Sequence, residues 1–111
     1  MGREDREDIK GKVLRLKDLV AYQDGSIASR VIVNSKAGSI TLFSFDRDEG
    51  ISEHTAPFDA VATILDGECE IRLSGVVHLL KEGETIIMPA HAPHALTALT
   101  PFKMILVMIK A

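Results

Sequence analysis

The sequence predicts an all-β protein, a sandwich or closed barrel of about ten short strands. Three observations predict it. Short β-prone runs recur from end to end, each bounded by Gly, Pro, Asn, Asp or Ser. The clearest runs alternate apolar and polar residues with a period of two, which marks a strand with one dry face. No segment carries a helical apolar stripe; the best candidate, residues 5–16, mixes its polar and apolar positions.

The elements follow in order. Residues 1–12 form a charged, partly flexible arm, and residues 13–111 form a single barrel domain. Residues 13–16 are a weak first strand. Asp24-Gly25 signals a turn before a strand over residues 27–33, with Val31 and Val33 on one face. Residues 39–45 form the next, with Ile40 and Leu42 in one phase and Phe43 and Phe45 in the other. Residues 51–54 precede the proline-interrupted stretch around Pro57. Residues 60–65 and 68–73 flank Asp66-Gly67, which reads as a hairpin because glycine accepts positive φ at no steric cost. Cys69, Ile71 and Leu73 then share an inner face, and Glu68, Glu70 and Arg72 an outer one. Strands over residues 76–80, 85–88, 93–99 and 103–109 complete the chain. The last is apolar on both faces, so it is either central or covered by a second copy, and a homodimer is expected in which residues 13–16 or residues 104–109 cover the partner's exposed face.

Composition narrows the partners. A chain of 111 residues is one domain, and without tryptophan its core must come from Ile, Leu, Val, Met and four phenylalanines. A net charge of −3 with acids and bases interleaved offers nucleic acid no basic stripe. No run approaches the roughly 20 apolar residues of a membrane helix. The first dozen residues are too charged for a secretory signal, and a lone Cys69 fits a reducing cytoplasm.

The segment from Gly83 to His94 carries the most specific pattern. Gly83, five residues, Pro89, then His94 resembles the second motif of the cupins, with His91 where that motif has glycine and Ala98 where it has asparagine. The first cupin motif is weaker here. His54 takes its first histidine position, Ala56 the second, Ala60 the glutamate position and Gly67 the closing glycine, while the interval from Gly50 to His54 is short. The resemblance spans at least residues 48–98. It implies an antiparallel jelly-roll barrel, the cupin double-stranded β-helix.

In a metal-bearing cupin, the two histidines and glutamate of the first motif and the histidine of the second would be ligands. Here two of the four are alanine. A divalent metal (Zn, Ni, Mn or Fe) would need His91 as a third ligand beside His54 and His94, because stable centres take three or four protein ligands. The plain alternative for His91 is an exposed turn residue. His94 shares an inward phase with Leu96, and His54 one with Ser52 and Ala56. Histidine as a residue type suits acid–base or hydrogen-bonding work near neutral pH. Ala56, Ala60 and Ala62 either pack an ordinary barrel or leave room for a ligand beneath the histidines. Cys69, expected to point inward with that set, reads as an inert buried thiol. His78 matches no ligand position and is expected to face solvent or a subunit contact. Met88, Met104 and Met108 read as gap-fillers.

The expectation is a small-molecule-binding barrel whose pocket is lined by His54, His94, Ala56, Ala60, Ala62, Cys69 and Leu96. The alternative is a metal-dependent cupin enzyme: a dioxygenase, isomerase or decarboxylase.

Overall fold

The computed structural model describes residues 9–110 and contains nine strands among them. They are β1 (Ile27–Asn34), β2 (Gly38–Phe45), β3 (Gly50–His54), β4 (Asp59–Asp66), β5 (Glu68–Leu73), β6 (Val76–Lys81), β7 (Thr85–Met88), β8 (His94–Ala98) and β9 (Phe102–Ile109). A five-stranded sheet runs β1-β2-β9-β4-β7 and a four-stranded sheet β3-β8-β5-β6. All pairings are antiparallel. The all-β jelly roll expected from sequence is the fold observed. The core lies between the sheets, with Phe45 and Phe102 stacked at 4.6 Å and Ile64, Ile71 and Cys69 almost fully enclosed.

Two expectations change. The weak strand over residues 13–16 does not form; Leu16–Asp18 is instead a short 3-10 turn, and Val13 is fully exposed. The chain after it crosses the outer face of the five-stranded sheet. Ser44 Oγ donates to Ala21 O at 2.7 Å, Lys103 Nζ donates to Lys17 O at 2.6 Å, and Tyr22 OH donates to Asp66 Oδ2 at 2.6 Å. Burial and then the Asp66 carboxylate push the Tyr22 phenol up from its ordinary range. This strap explains why both phases of β2 are dry. Phe43 and Phe45 face the interior, while Leu42 and Ser44 are buried on the other side. The charged arm expected over residues 1–12 falls mostly outside the described residues.

Asp66-Gly67 is not a hairpin. β4 pairs with β9 and β7, whereas β5 pairs with β6 and β8, so the chain there steps from one sheet to the other. Ile64 and Cys69 therefore reach one core from opposite sheets. Gly67 has φ +76°, and a Cβ on it would collide with the Pro101 carbonyl, where the crossover passes the β8–β9 turn. The true two-residue hairpin is Ser74-Gly75, with φ values of 49° and 81°; positive φ at both central positions suits the twist of the flanking strands.

The last strand, β9, is central, between β2 and β4. Its two apolar faces are therefore dry within one chain, and they do not by themselves call for a second copy.

Candidate functional site

The cavity between the sheets measures about 80 Å³. Its five-stranded side is formed by regular alternation. Ala60 and Ala62 on β4 stand beside Met108 and Leu106 on β9, their direct cross-strand partners. Met104 and Phe43 extend that wall, and Met88, opposite Ala60, closes its other edge. Ile51, Leu96 and Ile71 form a cross-strand row on the four-stranded side.

The polar part of the site depends on a break in that regularity. Ile51 pairs with Leu96 and His54 pairs with His94, so three steps along β3 match two along β8. A bulge of this kind re-aims a side chain. It lets Ile51 and His54 both line the cavity, although their sequence positions differ by an odd number. Ser52, expected to share the inward phase of His54, is exposed in the bulge instead. The His54 and His94 rings meet edge to face, 4.3 Å between centroids. His54 is exposed and His94 half-buried, which places the pair at the cavity mouth. Each ring is held at Nδ1: His54 Nδ1–H donates to Ser52 O, and His94 Nδ1–H donates to Ala92 O, both at 3.0 Å.

His91 does not join them. Its backbone has φ +69°, the left-handed region that the motif's glycine would occupy without strain, and its side chain is exposed at the turn. The His91 N–H donates to Ala56 O at 2.7 Å, and the neighbouring Ala90 N–H donates to Asp59 Oδ1 at 2.8 Å. Backbone hydrogen bonds of this turn thus pin the approach to β8 and set the position of His94.

The residues do not fit a dedicated metal centre. Each imidazole is oriented as a ligand would be, with one nitrogen held by a carbonyl and the other clear. Two ligands fall short of three, however, and Ala56 and Ala60 offer only methyl groups. Among the described residues, no three His, Cys, Asp or Glu side chains gather to hold an ion.

Ala56, Ala60, Ala62, Leu96, His54 and His94 all line the cavity. Cys69 does not. It is fully buried in the core beside Ala98 and Leu80, and burial pushes its thiol up to about 12. His78 also departs from expectation: it is half-buried and paired with Ile71, hence on the interior side of β6, but outside the cavity wall. Phe43, Ile51, Met88, Met104, Leu106 and Met108 line the cavity without having been singled out as pocket residues. The shared phase of Met104, Leu106 and Met108 was their signal in the sequence, whereas only the bulge reveals Ile51.

Residues 41–109 match the Cupin 2 family, described as "Cupin domain". A conserved protein of unknown function from Streptococcus pyogenes, SPY1581, is 40% identical and superimposes with a TM-score of 0.88, covering 95% of this chain and 93% of that one. A cupin superfamily protein from Desulfitobacterium hafniense DCB-2 is 27% identical, with a TM-score of 0.87 and coverage of 92% and 94%. A Cupin 2 conserved barrel domain protein from Leptotrichia buccalis is 37% identical at a TM-score of 0.84; the match covers 87% of this chain and 47% of that one. No curated protein matches the chain. The barrel, the second-motif spacing and the family match agree, and the chain belongs to the cupin family.

Proposed function

We propose that this cupin binds a small molecule, seating its apolar part in the barrel and its polar head against His54 and His94. One observation carries the reading. Among the described residues, the only polar side chains on the cavity wall are these two imidazoles, whose rings meet edge to face at its mouth. An apolar hollow with a few convergent polar groups is the usual form of a small-molecule site. A thermal-shift screen of small metabolites tests it. Hits should lose their effect in Ala62→Leu, which fills the hollow; hits that persist there bind elsewhere and remove the reading.

The enzyme alternative, a metal-dependent dioxygenase, isomerase or decarboxylase, needs an ion that His54 and His94 alone do not secure. Elemental analysis of untagged protein decides between them. About one metal per chain, lost in His54→Ala, would favour the enzyme reading.

We further propose that the chain forms a homodimer through β1. That strand is an eight-residue sheet edge. Ile27, Val31 and Val33 on it are 37%, 54% and 37% exposed, an apolar edge of the kind that pairs with another chain. Sedimentation at micromolar protein checks it; a monomer alone would end the proposal. No helix among the described residues is long and apolar enough to cross a membrane.

A further inference from the structure

We infer that the His54–His94 pair is an acceptor site selecting an uncharged ligand that donates a hydrogen bond, a short aliphatic alcohol or enol in kind. The inference rests on the ligand-binding reading above and adds the chemical class.

The hydrogen bonds at Nδ1 carry it. A carbonyl oxygen has no proton to give, so the ring nitrogen facing Ser52 O or Ala92 O must supply one. In a neutral imidazole the other nitrogen, Nε2, is then a bare lone pair. Both rings are held this way, each by the carbonyl two residues before it. These carbonyls lie where the backbone leaves the ladder: Ser52 in the β3 bulge and Ala92 in the turn before β8. The irregular backbone thus holds both rings through Nδ1, and a pair of neutral rings so held offers two acceptors and no donor.

The rest of the cavity sets the charge and size. Apart from the two imidazoles, the described residues of the wall are alanine, methionine, phenylalanine, leucine and isoleucine, with no cation among them to hold an anion and no carboxylate to hold an amine. Bringing a charge against such a wall carries a desolvation cost that nothing there repays. A dry cavity of about 150 Å³ accepts benzene, so the roughly 80 Å³ here suits a tail of about three or four carbons. A hydroxyl head on that tail donates its one proton to one of the two lone pairs; an ether head donates to neither.

The test uses chelator-treated full-length protein with 13C-labelled methionine methyls, since Met88, Met104 and Met108 line the cavity. Isobutanol, its methyl ether and isobutyrate are titrated in parallel. The expected result is saturable movement of those methyl signals by isobutanol, with the ether and isobutyrate each about tenfold weaker or worse, the scale of one lost hydrogen bond. The preference over the ether should fall to about twofold in the double variant His54→Phe/His94→Phe, with methyl dispersion confirming that it folds. Equal binding of alcohol and ether would overturn the donor rule and leave the cavity reading intact. Tightest binding by isobutyrate would overturn it in favour of a cationic pair. Zn2+ binding at one equivalent and expelling isobutanol would overturn it in favour of a metal site. No movement with any probe would remove both the inference and the cavity reading beneath it.

Discussion

On the five-stranded side of the cavity, Ala60, Ala62, Leu106 and Met108 follow the period-two rule of β4 and β9 without interruption. On the four-stranded side, His54 reaches the cavity because β3 breaks that rule. The depth of the cavity is dry on both sides, with Ala62, Met104 and Ile71 almost wholly buried, while at the rim His54 is exposed and His94 half-buried. The regular strands supply dry packing on the cavity wall, and the irregular rim carries its two imidazoles. If recognition belongs to the rim, as proposed, the fold should tolerate the loss of those polar groups.

Substitutions should separate the two. The largest effect belongs to the dry wall: Met104→Ala is expected to cost about 2–4 kcal/mol, read from urea denaturation, because it enlarges a hollow that neighbours cannot collapse into. A loss as small as that of a rim variant would break the division. Next comes the core behind the rim. The Cys69 thiol is raised in the folded state, so unfolded chains release its proton first as pH rises. Its contribution is complete below about 9 and is lost as pH climbs towards about 12. The decline of stability over that window should be shallower in Cys69→Ala, and native Cys69 should react slowly with thiol reagents at pH 8.

Ala62→Leu should cost only about 1–2 kcal/mol, since the added carbons enter existing space, while it removes ligand binding. His91→Gly should raise stability by about 1 kcal/mol by relieving the left-handed conformation, and it should leave binding at His54 and His94 unchanged. Lost binding there would mean that the His91 ring, and not only its backbone, serves the site. The smallest stability effect belongs to the rim: His54→Ala should shift the denaturation midpoint by the equivalent of about 0.5 kcal/mol or less, yet weaken ligand binding. A large destabilisation would show that the pair braces the barrel and would merge the two walls.

The legible parts of this protein were local ones. Strands β5 and β7 have the bounds their alternation and flanking turns indicate, and Gly83, Pro89 and His94 carry the family spacing through one continuous segment. Period-two patterning also identified the shared face of Met104, Leu106 and Met108, because neighbouring side chains on a strand point to opposite sides whatever lies beyond them.

What needed the tertiary structure was the partner of each element. Asp66-Gly67 has the residues of a hairpin, but whether the chain folds back or changes sheet depends on which strands offer pairing edges, and β9, some forty residues later, supplies one. The bulge in β3 exists only relative to β8, so no pattern within residues 50–54 announces that Ile51 and His54 share a wall. The same holds for His91. Its spacing from His94 suits a ligand, but its direction is set by a left-handed backbone tied to Ala56 across the turn. Sequence indicated where the nine strands lie and which face of the regular ones is apolar, since those are properties of the chain's own geometry. Register, sheet membership and the meeting of the two imidazoles were decided only when distant strands competed for the same hydrogen bonds and the same dry interior.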